Sequence, residues 1–439
     1  MARKLGLLLM ALALTGCSAT GPATDLTTGP AASRPTPSPG ASAPVAVTPA
    51  ASSPPRTRCS GKAEPGDLNG DGYADLAFIW TGPTGDDLEQ DQLVVVNGSM
   101  RGLEPATAHI AGRWSMSAET VPQLADLDGD GCADIIVPDS SLLIYWGGRG
   151  TPTFMPYGRS SGLADLDGDD ATDLMAAESR GDDPRARVFA FLHGPFTRSG
   201  EPARKTSRPV PEGDWPGALI TDPHGPEAVL YGPDDGGQAD AALLKDGGFR
   251  KVARGGAAVF GDFDGDGRRD VAIGDSGARD DEPGMQTEDQ SVESITRVFY
   301  GGDREPQVLN GIRGSLAAGD LNGDGLDDLV SGEVAGASVV ITGKAEVLFG
   351  SPRGLHRTGV SVTHHGPTWS LTGKRLKEWR LGSVKTWAVA DYDGDGRDEL
   401  LRVWRGGQDY ARFWRVDAEG RTLQVFDLRG RPSARPRHG

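Results

Sequence analysis

An acidic nine-residue pattern recurs along this chain, and its spacing constrains the fold more than any other feature. Six copies are read directly: DLNGDGYAD from Asp67, DLDGDGCAD from Asp126, DLDGDDATD from Asp165, DFDGDGRRD from Asp262, DLNGDGLDD from Asp320 and DYDGDGRDE from Asp391. Successive copies start 59, 39, 97, 58 and 71 residues apart. The gap of 97 holds two units, because TDPHGPEAVLYG sets Asp222 at the first position of a worn copy and divides the gap into 57 and 40. The chain therefore contains seven units, and a repeat of about fifty residues is the signature of stacked or radial arrays.

The residues behind each acidic run decide which kind of array this is. An apolar stretch comes next (LAFIW, IIVPD, LMAA, VAIG, LVSG and ELLRVW in the six clear copies), and a second one ends in a glycine turn. The second stretches read Leu93 to Ser99, Leu142 to Gly148, Arg187 to Gly194, Arg297 to Gly302 and Glu346 to Ser351. They are short, rich in Val, Ile, Phe, Trp and Tyr, and bounded by Gly, Pro and Asp, which is the pattern of strands. The 64 glycines and 31 prolines also favour turns over long helices. The expected fold is all-β, a propeller of seven antiparallel blades.

The ends of the chain read differently. Arg3 and Lys4 precede the apolar run Leu5 to Leu14, which has the length of a signal-peptide core and is short for a bilayer span. It ends in LTGC, which resembles the lipobox of bacterial lipoproteins and implies cleavage before Cys17 and its lipidation; ordinary secretion is the alternative. The expected organisation is a signal peptide over 1–16, a lipid-anchored Pro/Ser/Ala/Thr-rich tether over 17–58, a propeller over 59–430 and a basic tail over 431–439. The expected location is the outer face of the bacterial cytoplasmic membrane, with attachment through acyl chains. Two further cysteines, Cys59 and Cys132, form a possible disulfide in such a compartment, or stand as separate thiols.

The chemistry sits in the acidic loops. Positions 1, 3, 5 and 9 carry oxygen side chains, and position 6 is glycine in five of the six clear copies. A hard cation such as Ca²⁺ takes six to eight oxygens, and a glycine-broken loop with oxygens at alternate positions is able to wrap one. Without a cation, three or four carboxylates repel one another; with one, the repulsion becomes ligation. The loops carry 22 ligand-position carboxylates against a net charge of −17, so six bound Ca²⁺ leave about −5. That acidity also excludes nucleic acid as a partner. The competing reading is that the aspartates only cap turns. An EF-hand is excluded, because position 12 is Phe78, Val137, Ala176, Ile273, Ser331 or Arg402 where Glu is needed.

These loops, with the short strands and FG-type turns behind them, resemble FG-GAP repeats, the units of the seven-bladed propeller of integrin α chains and of many bacterial surface proteins. The resemblance spans roughly 59–430. It departs from the family at the missing GAP triplet, the worn fourth copy and the third copy, where Asp170 replaces glycine. Carried over by position, it implies a Ca²⁺ in each of up to six loops, five of them intact. The implied side-chain ligands are Asp67, Asn69, Asp71 and Asp75; Asp126, Asp128, Asp130 and Asp134; Asp165, Asp167, Asp169 and Asp173; Asp262, Asp264, Asp266 and Asp270; Asp320, Asn322, Asp324 and Asp328; and Asp391, Asp393, Asp395 and Glu399. Backbone carbonyls are implied at Tyr73, Cys132, Arg268, Leu326 and Arg397. The expected function is a calcium-binding interaction or adhesion module for a protein or glycan, not an enzyme. The alternative is a polysaccharide lyase or hydrolase on a propeller scaffold.

Two motifs of other chemistries are read as chance. GDSG at Gly274 to Gly277 comes immediately after a repeat strand, and a catalytic triad is a geometry that no tetrapeptide supplies. RGD at Arg180 to Asp182 is unsurprising in a chain this rich in its three residues.

Overall fold

The computed structural model describes residues 44–49, 59, 65–83, 89–114, 121–139, 141–157, 161–180, 183–209, 218–232, 239–245, 247–277, 291–332, 342–369, 375, 384–406 and 410–429. The signal peptide, Cys17, the basic tail and most of the RGD motif lie outside them. Among the described residues strands dominate, with two 3-10 turns at Pro105–Thr107 and Trp146–Gly148. Among the described residues no helix is long and apolar enough to cross a membrane.

Two short strands come first, β1 (Val45–Ala46) and β2 (Thr48–Pro49). Blade one is built from β3 (Leu76–Pro83), β4 (Glu89–Val96) and β5 (His109–Trp114). Blade two is β6 (Gln123–Ala125), β7 (Asp134–Pro138), β8 (Leu142–Tyr145) and β9 (Thr153–Met155). Blade three is β10 (Ser161–Ala164), β11 (Asp173–Arg180), β12 (Asp183–His193) and β13 (Arg204–Pro209). Blade four, the worn copy, is β14 (Leu219–Thr221), β15 (Ala228–Tyr231), β16 (Ala239–Lys245) and β17 (Gly248–Gly255). Blade five is β18 (Ala257–Gly261), β19 (Asp270–Gly274), β20 (Ile295–Phe299) and β21 (Gln307–Asn310). Blade six is β22 (Ser315–Gly319), β23 (Asp328–Gly332), β24 (Thr342–Phe349) and β25 (His356–His365). Blade seven is β26 (Val384–Ala390), β27 (Glu399–Gly406), β28 (Tyr410–Val416) and β29 (Thr422–Arg429).

Each blade is an antiparallel meander in chain order. In blades two to seven the acidic or worn loop joins the first strand to the second. The middle strands read as unbroken apolar runs because both faces are covered by neighbouring blades: IIV in β7, AVLY in β15 and VAI in β19 are buried throughout. Outer strands are wet, as in β13, where every residue is exposed.

The core is divided between the blades. Seven apolar clusters occupy the seven interfaces, from one/two (Ile79, Leu93, Ile135, Leu143) through six/seven (Val330, Val347, Leu400, Trp404). The seventh cluster joins blade seven back to blade one and closes the ring: Phe78 meets Phe413 edge to face with ring centroids 5.1 Å apart, and Trp387 at 6.5 Å. Fully burying each such side chain is worth roughly 1.5–3 kcal/mol.

A second closure corrects the expectation of a tether running to residue 58. Strand β1 pairs in parallel with β29 on the rim of blade seven (Val45 with Leu428), and β2 pairs with β5 on the rim of blade one (Thr48 with His109). Between them the Val47 N–H donates to the Arg429 carbonyl at 3.0 Å, and the Val47 side chain is buried in the cluster between the same two blades. The physical reason is local. PVAV is an apolar interruption in a Pro/Ser/Thr-rich stretch, and the outer strands offer unpaired backbone groups at their edges. Val47→Ala therefore lowers the stability of the full chain by about 2 kcal/mol in urea unfolding; an unchanged midpoint contradicts this closure.

Candidate metal centres in the acidic loops

The first-position aspartate organises each clear loop by accepting backbone N–H groups. In five loops its two oxygens take the amides of positions 4 and 6, and in the third Asp165 takes that of Gly168: Gly70 at 2.6 Å and Gly72 at 2.7 Å lie on Asp67, Gly129 and Gly131 each at 2.8 Å on Asp126, and Gly323 at 2.7 Å and Gly325 at 2.8 Å on Asp320. Asp262 and Asp391 do the same with their glycines. The fifth-position carboxylate accepts the N–H of position 7, as in Asp130 with Cys132 (3.0 Å) and Asp266 with Arg268 (2.8 Å). Both glycine positions lie at positive φ, and position 4 was not singled out by sequence reading. At Gly70 (φ +78°) a Cβ would also come within 2.9 Å of Cys59 Sγ. The third loop keeps this curl without its glycine, since Asp170 adopts φ +65°, at a cost of about 1–2 kcal/mol.

The ninth-position carboxylate ties the loop to the sheet. Asp75, Asp134, Asp173, Asp270, Asp328 and Glu399 are all buried. One oxygen accepts the position-2 amide: Leu68 at 2.9 Å, Leu127 at 3.0 Å, Leu166 at 2.8 Å, Phe263 at 2.9 Å, Leu321 at 3.1 Å and Tyr392 at 3.1 Å. In five loops the other accepts the N–H of a glycine just after β4, β8, β12, β20 or β24: Gly98, Gly147, Gly194, Gly301 and Gly350, at 2.6–2.9 Å. In the seventh loop Arg415 takes that place, 2.6 Å from Glu399 Oε1. Burial pushes Asp75 up to about 8 and Asp134, Asp270 and Asp328 up to about 7, with neighbouring carboxylates adding to the shift and the backbone N–H groups opposing it.

Backbone bonds then link one loop to the next. The eighth-position N–H of one blade donates to the first-position carbonyl of the blade before it: Ala133 to Asp67 (2.7 Å), Asp327 to Asp262 (3.0 Å), Asp398 to Asp320 (2.9 Å) and, across the ring closure, Ala74 to Asp391 (3.3 Å). The fourth loop breaks the rule. Thr221 pairs with Ala228, whereas Gly261 pairs with Asp270, so this loop is two residues shorter and Ala228 stands where the ninth carboxylate belongs. Its buried Asp222 is held by the Arg269 guanidinium at 2.8 and 3.0 Å. A side-chain ion pair replaces the metal-type loop.

The ligand-position side chains do converge. Oxygens of Asp126, Asp128 and Asp134, of Asp165, Asp167 and Asp169, and of Asp262, Asp264 and Asp270 lie within 4.8 Å of one another. Oδ1 of Asp264 and of Asp393 is buried with no partner, so the donor set of the fifth and seventh loops fits a hard cation that would supply the missing contact. Among the sixth-loop ligands, the Asn322 amide lies 3.4 Å from Asp328. Cys59 and Cys132 are disulfide-bonded with Cα atoms 5.3 Å apart, fastening the chain ahead of the first loop to the second.

Several residues beside the loops were missed by sequence reading. Arg198 reaches Asp128 and Asp130, Arg204 reaches Asp167, Arg304 reaches Asp264 and Arg415 reaches Asp393. His193 Nδ1 lies 3.1 Å from Asp167 and 3.3 Å from Asp173. His193 stands ahead of the glycine in LHG, a position where other units carry Asn97, Trp146, Tyr300 or Phe349, so no fixed residue marked it. The GDSG aspartate is structural: Asp275 is buried and accepts N–H groups from Gly277 and Ser294.

Comparison with known proteins agrees with the architecture. The chain is a seven-bladed β-propeller carrying an FG-GAP-like repeat, whose family model matches residues 67–137. No curated protein matches. Among solved structures, a variant of the Synechocystis apocarotenoid oxygenase is similar at 10% identity over 84% of this chain and 91% of that one, with a TM-score of 0.44. Dihydro-heme d1 dehydrogenase is similar at 13% identity over 88% and 78%, with a TM-score of 0.40. These likenesses are too low to carry an argument about activity.

The ninth-position carboxylates give two expected outcomes. Asp328→Ala leaves two buried N–H groups without a partner and costs roughly 2–4 kcal/mol even in chelator, read by urea unfolding; a smaller loss than for exposed Asp324→Ala contradicts the assignment. In metal-free protein the raised carboxyls keep protons that the unfolded chain has already lost. Their contribution is complete below about pH 4 and lost as pH rises through about 7 to 8. The melting temperature in EDTA should thus fall from pH 5 to 8, and excess calcium, which binds the ionised form, should remove that fall; identical profiles contradict it.

Proposed function

We propose that this protein is an extracytoplasmic, lipid-anchored propeller that binds calcium in its acidic loops and acts as an interaction or adhesion module for a protein or glycan. The observation that carries the calcium reading is the pair of buried, unpartnered oxygens on Asp264 and Asp393, in loops whose other ligand-position groups are hard oxygens. A cavity of about 660 Å³ at the loop end, lined by Asp126, Asp165, Leu124, Leu163, Pro195 and His224, supports the binding reading by offering a mixed polar and apolar recess of ligand size. The ions brace the loops that surround it. Membrane attachment rests on the LTGC sequence ending at Cys17.

The test is a screen of the full chain against immobilised glycans and cell-surface proteins, with calcium and with EDTA. Binding that requires calcium and leaves the ligand unchanged is the expected result. Release of shortened or unsaturated oligosaccharides favours the polysaccharide-active alternative and overturns the non-enzymatic reading. For the anchor, Cys17→Ser should move the protein from the membrane fraction to the medium; unchanged fractionation contradicts lipidation.

A further inference from the structure

Blade four has a worn loop, and the two clefts beside it are lined by cations. The outer strands of blades three and four carry the same arrangement, RKTSR in β13 (Arg204 to Arg208) and RKVAR in β17 (Arg250 to Arg254), in a chain whose net charge is −17. The first cleft, of about 510 Å³, lies between these blades and is lined by Arg204, Arg208 and Lys245, with Thr206 and Ser207 beside them. The second, of about 300 Å³, lies between blades four and five and is lined by Lys245, Arg250, Arg269 and Arg304. Lys245 lines both, so the two clefts meet across blade four. Neither shares a lining residue with the recess at the loop end.

Some of these charges are answered within the fold. Arg204 pairs with Asp167, Arg269 with Asp222 and Asp327, and Arg304 with Asp264. Glu227 lines both clefts, and burial, followed by the nearby Asp222, pushes its carboxyl up. Among the described residues Arg208, Lys245 and Arg250 form no ion pair, so three cations stand against one carboxylate. Arg208 is held in position: its guanidinium lies over Phe191, 5.4 Å from the ring centroid, and Nη1 donates to the Gly247 carbonyl of blade four at 2.6 Å. Lys245 donates to the Gly301 carbonyl of blade five at 3.2 Å.

We propose that these joined clefts bind a polyanionic glycan, a polysaccharide carrying carboxylate, sulfate or phosphate groups along its length. The inference rests on the reading of the protein as an interaction module and names its ligand class. An extended chain crossing blade four sets one anionic group against Arg208 and another against Arg250, with Lys245 between them. Guanidinium groups hold such oxyanions in a bidentate fork, and Thr206 and Ser207 offer hydroxyls to the sugars. A protein partner fits less well. It seats apolar anchors in open pockets, whereas Phe191 is covered by Arg208 and Tyr300 by Arg304, 4.3 Å from the ring centroid. The large exposed apolar side chains among the described residues, Met100, Val121, Phe154, Val308 and Leu423, line neither cleft. The worn loop suits this use, because Ala228 stands in the ninth position and Asp222 is held by Arg269, so blade four sets fewer carboxylates against a polyanion than its neighbours do.

Binding of the full chain, in calcium, to immobilised carboxymethyl dextran, dextran sulfate, dextran phosphate, neutral dextran and polyglutamate tests this. One or more of the charged dextrans should bind, the tightest identifying the anion; neutral dextran should not, and added NaCl should weaken the binding. Arg208→Gln combined with Arg250→Gln should weaken it about tenfold or more. Lys205→Gln combined with Lys251→Gln removes the same charge from the same two strands outside both clefts, where these lysines pair with Glu178 and Asp240. That control should weaken binding less than about threefold. Equal losses in the two double variants overturn the proposal, and tighter binding to polyglutamate than to every charged dextran overturns the glycan class. If no charged dextran binds while the broader screen still finds a ligand, the proposal falls and the interaction module stands; no ligand in either assay overturns both.

Discussion

A buried carboxylate that satisfies two backbone amides at once is the interaction on which this structure turns. Asp328 takes the Leu321 amide inside its loop and the Gly350 amide at the end of the blade's third strand. Four other loops repeat this with aspartate and a glycine, and the seventh does so with Glu399 and Arg415. Burying a carboxylate is unfavourable unless its oxygens are occupied, and here each oxygen also keeps a lone pair for a further partner. The same group therefore sets the loop, fixes the hairpin and stands ready to meet a cation.

The loops in turn hold the ring. Propeller blades bury their apolar faces against one another, which supplies energy but not registration between blades. The amide-to-carbonyl bonds from Ala133 to Asp67, from Asp398 to Asp320 and from Ala74 to Asp391 supply that registration on the loop side. At the rim, the 45–49 segment bridges blades seven and one. The last interface is thus closed three times, by the Phe78–Phe413 core, by the Ala74 bond and by the paired N-terminal strands.

Much of this was legible in the sequence, because the motif carries its own spacing. The seven units, the strand after each acidic run and the worn copy at Asp222 were all read from residue order, and each is a blade of the structure. The rest depended on partners distant in the chain. Arg198 lies 70 residues from Asp128 and comes from the next blade, so no local pattern announces it. The shortened fourth loop was visible only as decay, whereas the register shows Ala228 replacing a carboxylate and Arg269 taking over its charge balance. The docking of Val47 was hidden by composition: three apolar residues within a Pro/Ser/Thr-rich run read as part of a linker until an unpaired strand edge lies nearby.

The central claim is that the acidic loops are cation clips. A long-wavelength anomalous difference map from crystals of the protein grown in calcium tests it most directly. The account predicts peaks about 2.3–2.6 Å from side-chain oxygens at the ligand positions, in the first and sixth loops and beside Asp264 and Asp393. No such peak in any of the six loops, with calcium in large excess, would contradict it.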